Sequence, residues 1–165
     1  MHMRAELPSD GWALTLIGLA DLMKIAQRPW WIISSAAAAL HGEVTQPPAD
    51  IDVLIAPEDA LTIARQLELQ AAPGIPCERF HSEIFIRWGG LPLPVEFMAG
   101  FHLHEQGQWR QVQPSSRQSV TVAGVTLHIP DRSELIRLLR RFGRGKDLVR
   151  AQHLGEAGRW PPQGP

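Results

Sequence analysis

The stretch that most constrains this chain is Ala49-Asp50-Ile51-Asp52-Val53-Leu54-Ile55. Its β-branched residues favour extended backbone, and in a strand successive side chains point to opposite faces. Asp50 and Asp52 therefore project together, while Ile51, Val53 and Ile55 point the other way into a core. Two adjacent carboxylates repel each other and are costly to bury unpaired. A divalent cation between them removes both problems, and magnesium commonly takes one or two carboxylates together with substrate phosphates. The plainer reading is an exposed strand end that carries two solvated acids.

The flanking segments supply further layers. Asp10 caps a first helix expected to run through about Gln27, because Leu14, Leu16, Ile17, Leu19, Leu22, Met23 and Ile25 recur with helical spacing. Arg28-Pro29 breaks it. Trp30–Ile33 reads as a buried strand, Ser34-Ser35 as a turn, and Ala36–Leu40 as a helix stopped by His41-Gly42. A loop containing Pro47 and Pro48 leads to the strand Asp50–Ile55. Pro57 then opens a helix with Glu58 and Asp59 at its positive end, through about Leu69. After the loop AAPGIP, strands are expected near Arg79–Trp88 and Pro94–Met98, and a hairpin over Val120–Ile129 turning at Ala123-Gly124. Asp131 or Ser133 caps a helix with Leu135, Ile136, Leu138 and Leu139 on its apolar face. Gly143 and Gly145 interrupt it before a short helix over Lys146–Leu154. Strands and helices alternate at first and strands then cluster, which predicts an α/β (α+β) fold: a mixed sheet flanked by helices, with helices at the C-terminus. One domain over 1–155 and a loose tail over 156–165 are expected.

Hydrophobic residues make up 44% of the 165 and charged residues 20%, enough for a core without disulfide or metal staples. The net charge of −1 demands neither nucleic acid nor membrane. Cys77 stands alone, which excludes an internal disulfide framework and fits a reducing compartment. The start, MHMRAELPSDGW, lacks the apolar core of a signal peptide. The most apolar run, Trp30 to Leu40, has 11 residues, where a membrane span needs roughly 20. A cytoplasmic protein is expected.

Other residues invite a chemical reading beside a plain one. Ser34-Ser35 opening a helix offers N–H groups and hydroxyls to an anion, or is an ordinary cap. Glu96 in LPVEFM alternates against Val95 and Phe97. A third carboxylate beside an Asp pair suits two-metal phosphoryl chemistry, or is a salt-bridged strand residue. His102 and His104 share a strand face, as metal ligands or as a polar face. Arg137, Arg140, Arg141, Arg144 and Lys146 make the last helices basic, a solvated face or a phosphate-binding one. Cys77 shows no histidine partner of the kind a catalytic thiol needs. Trp30-Trp31 serve packing or flank a nucleotide base.

The run PWWIISSAAAALHGEVTQPPADIDVLIAPEDA resembles the core motif of the nucleotidyltransferase superfamily, in the bacterial AbiEii-like and MNT-like minimal branch. In that motif a strand ends in Gly-Gly or Gly-Ser, a helix follows, and an Asp-x-Asp strand comes next, with a third acid on a later strand. The run ELIRLLRRFGRGKDLVRAQHL is similar to the branch's C-terminal pattern, with Arg144, Lys146, Asp147 and Leu148 at the matching places. The resemblance implies transfer of a nucleoside monophosphate from a triphosphate to an acceptor hydroxyl. It implies one or two magnesium ions on Asp50, Asp52 and Glu96, and phosphates held by Ser34, Ser35, Arg144 and Lys146. The acceptor is a small molecule, tRNA or protein, and a cognate antitoxin is among the partners the resemblance implies. Three departures stand out: Ser34 replaces the first glycine of the turn, Gln46 stands where relatives often carry arginine, and Arg150 replaces a second aspartate. These support the alternative of a catalytically degenerate binding or regulatory module of toxin-antitoxin type.

Overall fold

The computed structural model describes residues 10–157. The N-terminal residues 1–9 and most of the expected tail lie outside the described residues. The last helix runs through Ala157, two residues into that tail.

Among the described residues, seven strands and five α-helices follow the order α1 (Asp10–Leu22), β1 (Trp31–Ile33), α2 (Ser34–Leu40), β2 (Ile51–Ile55), α3 (Pro57–Leu67), β3 (Phe80–Trp88), β4 (Val95–Glu105), β5 (Gln108–Gln111), β6 (Gln118–Val122), β7 (Val125–Ile129), α4 (Arg132–Phe142) and α5 (Gly145–Ala157). The main sheet is mixed, in the order β1-β2-β4-β3, with β2 and β4 parallel and the other pairs antiparallel. Strand β5 joins β4 on the edge away from β3, since His102 and Leu103 pair with both. A separate hairpin joins β6 to β7. This is the mixed sheet flanked by helices that the pattern predicted.

Alternation decides which face of the sheet is core. Ile51, Val53, Val95, Phe97 and Ala99 are fully buried. Helix α2 packs on β1 and β2, and α3 on β3 and β4. Ala36 to Leu40 are buried without exception, so the small side chains that favour helix here also let it sit in the middle of the molecule. Helix α1 is shorter than its apolar spacing suggested. It ends at Leu22, a 3-10 turn covers Met23–Ile25, and Ala26 is extended ahead of Arg28-Pro29. Strand β4 is longer than expected. Ala99-Gly100 have poor strand propensity, and Gly100 sits at φ +58, yet pairing on both edges carries the strand through to Glu105. Strand β5 has no local signal in the sequence: its turn, Gln106-Gly107, adopts positive φ at both residues, as a hairpin turn requires, without the Asn-Gly signature.

The start of α4 is tied to the loop before β6 and to the end of α2 by polar anchors. Asp131 caps α4, its Oδ1 accepting from the Glu134 N–H at 2.8 Å. The Glu134 carboxylate accepts from the backbone N–H and the hydroxyl of both Ser115 and Ser116. Burial alone would push the Glu134 carboxyl up, but these donors outweigh it and hold the carboxyl below the usual range. His41, at the end of α2, is buried with Nε2 2.8 Å from the Pro130 carbonyl, and Arg132 donates to the His41 carbonyl at 3.0 Å.

Glu134→Ala leaves the Ser115 and Ser116 N–H groups without their acceptor and is expected to cost roughly 2–4 kcal/mol in denaturant unfolding. The parent's advantage over this variant is present above about 4.5, the ordinary glutamate pKa, and closes as pH falls through the depressed pKa of the folded state. A stability gap that does not change with pH would show that the carboxylate's charge contributes nothing.

Candidate active site

The parallel pairing of β2 and β4 sets Asp52 directly opposite Glu96, and the antiparallel pairing of β1 sets Ile33 opposite Asp52. Paired residues share a face, so both acids project from the side of the sheet opposite Val53 and Phe97. Asp50 lies in the bend just before β2. The three side chains each offer an oxygen within 4.8 Å of the other two. Asp52 is pushed up to about 8, by burial first, then by the charges of Asp50 and Glu96, with Arg144 opposing.

The flanking turns complete the cavity. Ser34 begins α2 at φ +60, the left-handed region that glycine enters freely and other residues enter at a cost. The strained position is thus the one at which the resemblance expected glycine. At the other side α4 ends on Gly143, at φ +71, and the next residue is Arg144. The fully buried Asp147 accepts from Arg144 Nε at 2.6 Å and Nη2 at 3.0 Å. That fork fixes the guanidinium 5.0 Å from the centre of the Phe80 ring. A cavity of about 350 Å³ brings together Ser34, Asp52, Glu96 and Arg144 with an apolar wall that includes Phe80, Phe85, Phe101 and Phe142.

Other sequence candidates fall elsewhere. Ser35 is partly buried and, like the exposed Lys146, is not among the residues lining this cavity. Gln46 is exposed, and Arg150 keeps a buried Nε without a hydrogen-bond partner. Trp30 and Trp31 are buried and pack elsewhere: Trp30 meets His128 edge-on, and Trp31 Nε1 donates to the Ser116 carbonyl at 2.8 Å. They do not flank a base in the cavity. His102 sits on its own strand's Gly100 carbonyl at 2.7 Å and His104 lies against Trp109. Among the described residues the acid triad is the group with metal-ligand geometry, and the histidines are not part of it. Cys77 lines the cavity with its Sγ accepting from the Phe80 N–H at 3.3 Å. Arg87 is a further residue at the site. It lies opposite Glu96 on β3 and pairs with its carboxylate. Cross-strand register creates that contact, and nothing local in the sequence marks it.

The donor set fits a hard divalent cation: three carboxylate oxygens converge, and burial together with the charges of Asp50 and Glu96 disfavours the ionised form of Asp52 while no cation is bound. The sign of the pH dependence follows. An unfolded Asp52 releases its proton near 3.8, the folded one near 8, so metal-free protein loses stability as pH rises across that interval. Thermal melts without metal are expected to show this decline, Asp52→Asn to flatten it, and magnesium to reverse it at the alkaline end. A decline of equal slope in Asp52→Asn would assign it to another group.

The sequence matches no protein-family profile and no curated protein. Solved structures do match. A proposed nucleotidyltransferase from Thermotoga maritima aligns over 88% of this chain and 89% of its own, with a TM-score of 0.63 at 20% identity. ANT(2″)-Ia, solved in complex with adenylyl-2″-tobramycin, aligns over 87% of each chain with a TM-score of 0.54 at 13% identity. The lincosamide antibiotic adenylyltransferase LnuA, bound to lincomycin, aligns over 89% of this chain and 96% of its own, with a TM-score of 0.55 at 10% identity. Among the described residues no helix is long and apolar enough to cross a membrane. With its mixed sheet and these structural neighbours, the chain has the nucleotidyltransferase fold.

Proposed function

We propose that the protein is a metal-dependent nucleotidyltransferase that moves a nucleoside monophosphate from a nucleoside triphosphate to the hydroxyl of a small acceptor. The observation that carries this reading is the convergence of Asp50, Asp52 and Glu96, the last two lining one cavity with Arg144. Asp50 and Asp52 hold magnesium, with Glu96 as a further ligand or as the base that takes the acceptor's proton. The bound cation supplies charge neutralisation at the reacting phosphates. Ser34, which lines the cavity, orients the terminal phosphates, while Ser35 lies outside it. Arg144, held rigid by Asp147, meets negative charge from the opposite wall, and Lys146 adds a cation from the exposed start of α5. The nucleotide becomes joined to the acceptor oxygen and pyrophosphate leaves. A cytoplasmic location agrees with such substrates. The antibiotics named with the neighbouring structures make a small hydroxyl-bearing molecule the first acceptor class to try.

The second reading is a degenerate member that binds nucleotide or a partner such as a cognate antitoxin without catalysis. Its support is the left-handed Ser34 and the unpartnered Arg150 Nε, at two of the three departures from the family pattern.

Titration calorimetry with magnesium and each of the four ribonucleoside triphosphates tests both. Binding is expected in the parent and is expected to vanish in Asp50→Asn and Asp52→Asn, which fold normally. Triphosphate binding with no transfer to any acceptor favours the degenerate reading, and no binding at all sinks the enzyme. Arg144→Ala is expected to weaken triphosphate affinity at least tenfold and Lys146→Ala less, since Arg144 lines the cavity and Lys146 does not. Ser34→Gly is expected to raise stability by about 1 kcal/mol through relief of left-handed strain and to weaken triphosphate binding about fivefold through loss of one hydroxyl donor. Tighter binding instead would mean that the serine obstructs the phosphates.

A further inference from the structure

We propose that Arg87 is a positioning residue that withholds Glu96 from a second divalent cation until a polyphosphate enters the cavity. The proposal rests on the nucleotidyltransferase reading above. Arg87 and Glu96 are register partners on antiparallel strands, so their side chains leave the sheet on the same face. The Arg87 Nη1 donates to Glu96 Oε1. The two ends of this pair differ: the Glu96 side chain is 21% exposed and that of Arg87 56%. Glu96 is thus fixed beside Asp52, while the arginine reaches it from solvent and is free to leave. The backbone beneath cannot follow, because Ile86 is buried and Trp88 stacks on Phe97.

Charge explains why the contact matters. Asp50, Asp52, Glu96 and Asp147, set against Arg87 and Arg144, leave two negative charges when all are ionised. One divalent cation cancels them. A second would leave this cluster of charges doubly positive unless an anion arrived with it or Arg87 withdrew. A polyphosphate provides that anion and also a better partner for the guanidinium, which binds phosphate through two parallel N–H bonds. Arg87 exchanges Glu96 for a phosphate oxygen, and the freed carboxylate completes the second cation position. No bond is made or broken in this exchange.

The test counts manganese bound to the full chain, by the electron paramagnetic resonance signal of the free ion. It is run with and without a non-hydrolysable α,β-methylene triphosphate analogue. The parent is expected to bind one manganese alone and two with the analogue. Arg87→Ala is expected to bind two without it and to hold the analogue about tenfold more weakly. Arg65→Ala, which removes an exposed charge from α3, is expected to behave as the parent and so separates this contact from a general charge effect. If Asp52→Asn loses manganese while Arg87→Ala keeps the parent's stoichiometry and affinity, the Arg87 proposal fails alone. If parent and Asp52→Asn bind manganese identically, the metal reading of the site fails and the proposal with it.

Discussion

Repulsion among three carboxylates is the constraint around which this molecule is organised. Asp52 and Glu96 stand opposite each other on adjacent parallel strands, with Asp50 at the bend beside them. Left alone they would push β2 and β4 apart. The opposite face of the same strands resists this, because Ile51, Val53, Val95 and Phe97 are completely buried. Separating the strands would expose that apolar surface at roughly 25 cal/mol per Å². The core thus holds the acids in a geometry that their own charges disfavour, and burial together with that repulsion pushes the Asp52 carboxyl up. A site under such electrostatic load is ready to accept a cation.

The cations that already face the cluster are held in opposite ways. Arg144 is immobilised: Asp147 is fully buried, grips the guanidinium at two nitrogens, and also accepts from the Arg144 backbone N–H at 3.2 Å. Arg87 hangs from a strand edge with most of its side chain in solvent. One positive charge is therefore permanent and the other conditional. The permanent one depends on the placement of α4 and α5, which is secured far from the acids by the Glu134 clamp on Ser115 and Ser116 and by the His41 contact to Pro130. Aromatic side chains along the same cavity lower the local dielectric and make each of these charges count for more.

Much of this was legible in the chain. The β-branched run around Asp50 and Asp52 specifies a strand with one polar and one apolar face, and Val95-Glu96-Phe97 repeats the pattern. Propensity and turn chemistry place the Ala-rich helix, the hairpin at Ala123-Gly124 and the capped helix at Asp131, because each signal is local. Ser34 stood out only against the family pattern, whose glycine at that place suits the positive φ that serine adopts here.

What tertiary structure decided is everything that needs two distant segments to meet in register. Alternation sends Glu96 to one face of its strand, but only the parallel pairing of β2 with β4 makes that the face of Asp52. The same register, read across to β3, gives Arg87 its partner. Pairing with β3 resumes at Phe101 and with β5 at His102, so β4 continues beyond Ala99-Gly100, which propensity would end, and burial turns Trp30 and Trp31 into core. The sequence by itself determined the elements and the chemical types each presents, since these follow from backbone preference and local periodicity. Their juxtaposition was left to packing, because a side chain's partner across a sheet depends on strand order and register, which are settled only when the whole apolar face is buried at once.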